Sequence, residues 1–177
     1  MYAVHQCDVA VDPDTGHVEV LAYRVVQDVG RAINPRAILG QVQGGVVQGL
    51  GYALHEEITI DDGGAVEQRG FETYRVPLAG DVLPVQLDLY EGAPSFGPLG
   101  AKGAGEVPIL NVAAVVTCAV ADAIDRAVSQ IPLTPQRVLG LLLDRDSDLD
   151  LRHIPAGWRA NVIADPEELL AAAGVGP

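Results

Sequence analysis

Residues 100–128 read GAKGAGEVPILNVAAVVTCAVADAIDRAV, and the fold turns on how that junction is divided. Gly103 and Gly105 let a backbone turn tightly and come close to a bound group, while the run from Val107 to Val128 reads as a largely buried helix. Glu106 then stands at or just before a helix start, where a carboxylate accepts free amide hydrogens and meets the favourable end of the helix dipole. Two roles fit it. It is either an N-terminal cap or first-turn residue, or a general base on a ligand-facing loop, since a positioned carboxylate can take a proton. Lys102 would help to hold it charged if the two side chains meet.

Toward the N-terminus, Asn34-Pro35 opens a second helical stretch, expected from about Arg36 to Glu57. Asn34 is suited to cap it, and Pro35 is compatible with its first turn. Val42, Val46, Leu50 and Leu54 form an apolar stripe, but Gly40, Gly44, Gly45, Gly49 and Gly51 weaken the helix, so packing has to supply what local propensity does not. Those glycines admit another backbone or a flat ligand. Gln41, Gln43 and Gln48 interrupt the stripe, and one near the helix start is suited to hydrogen-bond a polar cofactor, with surface exposure as the alternative. The glycine order matches neither a phosphate-binding Walker loop nor the dinucleotide fingerprint.

Two further regions read as strands. Val9 to Val20 carries apolar residues up to Asp12-Pro13-Asp14-Thr15-Gly16 and away from it, a strand, turn, strand signal continuing through Val29. Val85-Gln86-Leu87-Asp88-Leu89-Tyr90 alternates as a strand, Tyr74 to Pro77 is expected to be a short edge segment, and Asp61-Asp62-Gly63-Gly64 is a hairpin-like turn. The order predicts an α+β fold, mixed strands and hairpins packed with two main helices, and not a regular parallel nucleotide-binding sheet.

The 177 residues carry 24 acidic and 11 basic side chains, a formal charge of −13, which opposes general attraction to nucleic acid or an anionic membrane. Cys7 and Cys118 are too few and too far apart for an iron–sulfur or zinc motif, and Cys118 is expected in the core. His5 and His17 are isolated and read as surface or hydrogen-bonded residues. No residue is singled out as a metal ligand. The first residues lack a secretory signal pattern, and polar residues punctuate Val107–Val128 too often for a membrane span, so the expectation is a cytoplasmic protein without membrane insertion.

Taken together, three segments resemble the C-terminal part of the molybdenum-binding catalytic subunit of the xanthine dehydrogenase and aldehyde oxidase family. They are Asp28-Val29-Gly30-Arg31-Ala32-Ile33-Asn34-Pro35, then Gly40-Gln41-Val42-Gln43-Gly44 with Gly49-Leu50-Gly51, and Gly100-Ala101-Lys102-Gly103-Ala104-Gly105-Glu106-Val107-Pro108. Their order covers about residues 5 to 140. The resemblance implies that Gln41 contacts a molybdopterin-type cofactor and that Glu106 is the catalytic base, activating a water-derived oxygen that attacks an aldehyde or a nitrogen heterocycle. It also implies electron transfer to iron–sulfur clusters, and often FAD, on partner domains or subunits.

On this reading residues 1–142 are the C-terminal portion of a molybdopterin-binding domain, and 143–177 are an acidic connector with a short helix after Pro166. The partners implied are the remainder of the molybdenum-binding subunit, iron–sulfur and flavin subunits, and a small organic substrate. Gln41 and Glu106 do not build a site alone, so the isolated chain is not expected to turn over. The alternative is a noncatalytic structural or assembly fragment of such a complex.

Overall fold

The computed structural model describes residues 1–92 and 95–143. The expected acidic connector beyond Leu143 and the helix after Pro166 lie outside them. Strands β1 (Ala3–Val11) and β2 (Val18–Asp28) form an antiparallel hairpin around the Asp12–Gly16 turn, with a register shift between Asp8 and Val9. Strand β3 (Val85–Tyr90) joins the other side of β2 in parallel, from Tyr23↔Val85 to Asp28↔Tyr90, giving the order β1-β2-β3. The segment 74–78 forms no strand, and a one-turn 3-10 helix follows at Ala79–Asp81. Pro77 lacks an amide donor and cannot extend a ladder there. The Asp61 turn closes through Asp61 N–H to the Ala65 carbonyl, with a single bridge between Ile60 and Val66.

Alternation along β2 sends Tyr23, Val25 and Gln27 to one face, where all three are buried, and Arg24 and Val26 to the exposed other face. The buried face is covered by α1 (Pro35–Leu54), α3 (Val112–Ile124) and α4 (Pro135–Leu143). The start of α1 is as read, because Asn34 Oδ1 accepts the Ala37 N–H at 3.1 Å. Val42, Val46, Leu50 and Leu54 are all buried. Each such burial contributes about 1.5–3 kcal/mol, which offsets the weak propensity of a helix rich in glycine.

The continuous buried helix expected over 107–128 does not form. Asn111 separates a single turn, α2 (Val107–Leu110), from α3, and α3 stops at Asp125, whose φ of 50° turns the chain left-handed. Within 107–124 only Pro108, Val112, Val116 and Val120 are buried. They recur every fourth residue, the single stripe that a helix lying on one side of a small sheet can cover. Cys118, two residues beyond Val116, is carried to the opposite side and is exposed, while Cys7 is buried and both thiols are free. Val107–Ile124 is long and apolar enough by composition to cross a membrane, yet its valine stripe packs into the core against β1 and α1.

The contact of α1 with α2 and α3 depends on missing side chains. A Cβ on Gly45 would lie 2.7 Å from Pro108 Cβ, and one on Gly49 would lie 2.4 Å from Val112 Cβ, whereas one on Gly44 would meet nothing within 4 Å. Gly49→Ala is therefore expected to destabilise the protein by about 1–3 kcal/mol through overpacking, outweighing the gain in helix propensity. Gly44→Ala is expected to be neutral or to stabilise by up to about 1 kcal/mol. Urea unfolding of the two variants beside the parent measures the contrast.

His5 provides a pH-dependent element. Its Nδ1 lies 2.9 Å from the Tyr23 hydroxyl, and burial lowers its pKa from about 6.5 to about 4. The folded state thus favours the neutral ring, so this stability is fully present above pH 6.5 and is lost as pH falls toward 4. His5→Gln is expected to flatten the decline of the urea midpoint across that interval relative to the parent.

Candidate functional site

The two segments singled out in the sequence meet along one face of α1. Gln41, Gly45, Gly49 and Tyr52 follow one another at spacings that keep them on the same side of a helix. Opposite them run Gly105, Pro108, Val112 and Ile109. Gln41 Nε2 donates to the Gly105 carbonyl at 2.6 Å, the two glycines receive Pro108 and Val112, and the Tyr52 hydroxyl donates to the Ile109 carbonyl at 3.0 Å. Residues 64 apart in the chain are thereby held in hydrogen-bonding contact immediately before Glu106.

Glu106 occupies the N-cap position of α2 but makes no side-chain capping hydrogen bond. Its carboxylate is exposed and has no hydrogen bond or ion pair among the described residues. The backbone is anchored on both sides, by Gly105 to Gln41 and by buried Pro108 to Gly45, while the acid group is left uncommitted. Of the two roles open in the sequence, capping is thus not carried out by the side chain.

Lys102 does not serve Glu106. Its Nζ is 2.5 Å from Asp28 Oδ2 at the end of β2, and Asp28 Oδ1 accepts the Gly30 N–H at 3.0 Å. Asp28 is only 4% exposed. Burial by itself raises the carboxyl pKa, but hydrogen bonds from Lys102 and Gly30 and the adjacent positive charge outweigh it, leaving Asp28 below the ordinary carboxylate range. Gly30, at φ 59°, lets the chain pass beside the second segment, since a Cβ there would lie 2.3 Å from the Gly100 carbonyl. The backbones then bridge, with Arg31 N–H to Gly100 O at 3.0 Å and Lys102 N–H to Val29 O at 2.9 Å.

Sequence reasoning missed this pair, although both charges stand inside the quoted motifs, each near a glycine. Opposite charge flanked by turn residues was the available signal. Which carboxylate Lys102 meets depends on where β2 ends.

The surroundings of Gln41 suit a polar cofactor. Gly40, Gly44 and Gly105 are exposed, and a Cβ on any of them would meet nothing within 4 Å, so a ligand can approach the backbone on either side of Gln41. The Gln41 amide has one N–H committed to Gly105 and retains a second N–H and its oxygen, the donor and acceptor pair that a pterin-type heterocycle requires. Among the described residues no group of three or more His, Cys, Asp or Glu side chains could hold a metal ion.

Residues 1–83, which include Gln41, match a family profile described as the molybdopterin cofactor-binding domain. The gamma subunit of the 6-hydroxypseudooxynicotine dehydrogenase complex of Paenarthrobacter nicotinovorans is 36% identical over 140 residues, covering 77% of this chain and 18% of that protein. Xanthine dehydrogenase/oxidase of Rattus norvegicus is 30% identical over 172 residues, covering 90% of this chain and 13% of that protein. Among solved structures, quinoline 2-oxidoreductase from Pseudomonas putida 86 superposes with a TM-score of 0.73 at 33% identity, over 76% of this chain and 17% of its own. The mixed α+β architecture is common to both, and this chain spans less than a fifth of each of these proteins.

Proposed function

Because the chain belongs to the xanthine dehydrogenase and aldehyde oxidase family, matching part of its molybdenum-binding subunits, we propose that it forms one wall of the active site of an assembled molybdenum hydroxylase. In that complex it takes part in oxidising an aldehyde or a nitrogen heterocycle with oxygen derived from water. The observation that supports this reading is the 2.6 Å hydrogen bond from Gln41 to the Gly105 carbonyl, which ties the amide of Gln41 to the residue before Glu106, whose carboxylate is uncommitted. The remainder of the subunit supplies the opposite wall, and iron–sulfur and flavin groups on partner domains or subunits receive the electrons.

When bound, a molybdopterin-type cofactor supplies the two-electron acceptor that no amino-acid side chain provides. Gln41 holds it through the free amide hydrogen and oxygen, and the bare backbone at Gly40 and Gly44 allows a close seat. Glu106 serves as general base, taking a proton from the water-derived oxygen as that oxygen becomes the nucleophile toward the substrate carbon. The anchors at Gly105 and Pro108 fix the backbone from which the carboxylate projects, and small misplacements of a catalytic group are costly in rate.

Glu106→Gln preserves size and removes the base. In the assembled enzyme with matched cofactor content, reductive turnover of an identified substrate is expected to fall at least about a hundredfold, with little change in thermal stability. Turnover within twofold of the parent would sink the assignment. Gln41→Ala is expected to lower molybdenum and pterin content, measured by metal analysis and pterin fluorescence after release, because polar contacts to the cofactor are lost. Parent-level occupancy, or an assembled complex that never holds cofactor, would instead favour a structural fragment.

A further inference from the structure

The structure places a second, buried electrostatic contact four residues before the proposed base. Asp28 lies at the last position of β2, is 4% exposed, and spends each carboxylate oxygen on one donor, Lys102 Nζ at 2.5 Å and Gly30 N–H at 3.0 Å. The Lys102 side chain is only 13% exposed. Around the pair the two backbones are joined by the Arg31 to Gly100 and Lys102 to Val29 hydrogen bonds, and the Ser95 hydroxyl donates to the Ala101 carbonyl at 3.0 Å. The next fixed point is the Gly105 carbonyl, held by Gln41. Only Gly103 and Ala104 lie between the two anchors.

We propose that Asp28 and Lys102 are positioning residues for Glu106, acting in two ways. The ion pair fixes where the segment 102–105 leaves the end of the sheet, and hence the point at which Gly105 meets Gln41 and Glu106 emerges. It also occupies the one cation near Glu106 in sequence. A Lys102 released from Asp28 is four residues from Glu106 and within reach of it, and pairing there would lower the proton affinity of the base. Asp28 thus keeps Lys102 away from the carboxylate that has to stay uncommitted. The placement is direct for the loop and indirect for the chemistry, since Asp28 and Lys102 are buried and their charged groups are spent on each other and on the Gly30 amide.

The catalytic half of this inference rests on Glu106 being the base, while the structural half does not. Both are tested in the assembled enzyme with Asp28→Asn and with the double variant Asp28→Asn/Lys102→Met, which removes both charges with little change in shape. Hydrogen exchange followed by mass spectrometry over residues 100–106 is expected to accelerate about tenfold or more in both variants, because a buried pair that anchors a loop has been lost. With Asp28→Asn, kcat is expected to fall about tenfold with KM within about twofold, and the acid limb of the kcat–pH profile to move to lower pH as Lys102 reaches Glu106. In the double variant the acid limb returns to the parent position while exchange stays fast.

Parent-like exchange over 100–106 in both variants would overturn the positioning role, whatever the activity. Fast exchange with an unmoved acid limb in Asp28→Asn would overturn the sequestration of Lys102. If Asp28→Asn does not assemble, the double variant, which leaves no unpaired buried charge, carries the exchange measurement and Lys102→Met with Asp28 retained carries the kinetic one. There too a normal kcat and normal exchange would refute the proposal. Accelerated exchange in variants of an enzyme whose turnover does not depend on Glu106 would leave the anchor standing and remove only the assignment of the base.

Discussion

Close approach of two backbones along one face of α1 is the constraint on which the other features rest. Gly45 and Gly49 give up helix propensity so that Pro108 and Val112 can enter where side chains would otherwise stand. The same face carries Gln41 and Tyr52, whose polar groups reach the Gly105 and Ile109 carbonyls beyond the helix. Those carbonyls belong to the turn around Glu106 and to the short helix after it. A larger residue at either glycine would separate the elements and lose both hydrogen bonds together.

Sheet and loop are joined by a different physics. At the end of β2 the polar side chain of Asp28 is drawn into a buried setting, which is tolerable because Lys102 and the Gly30 amide satisfy both of its oxygens. A buried ion pair adds little net stability compared with an apolar pair, but it is intolerant of a missing partner, which makes it suited to specifying one arrangement of a loop. The exposed Arg24–Asp88 pair, four residues earlier on the same strand, illustrates the contrast, since solvent screens it and it contributes little.

Much of the secondary structure was legible because it follows from local rules. The Asp12–Gly16 turn, the alternation of β3 and the Asn34-Pro35 start of α1 need only nearest neighbours, and all three occur. Residues 107–128 have the composition of a continuous buried helix, but composition does not say how many sides a helix can cover. With one small sheet to lie on, four positions at a spacing of four are buried, and Cys118 falls outside them. Tyr74–Pro77 has apolar residues but Pro77 cannot join a ladder.

The glycine-rich motifs mark Gln41 and Glu106 as candidates and also point to the family, whose matched residues include Gln41. Sequence by itself determined which residues are candidates for the polar chemistry and most of the short stretches that become strand or helix, since those depend on residue type and spacing. Only the tertiary structure decided who meets whom. It joined Gln41 to Gly105, withheld a cap from Glu106 and gave Lys102 to Asp28. Each of those outcomes depends on backbone positions far apart in the chain, brought together by packing across glycines and by the end point of a strand, which no local pattern encodes.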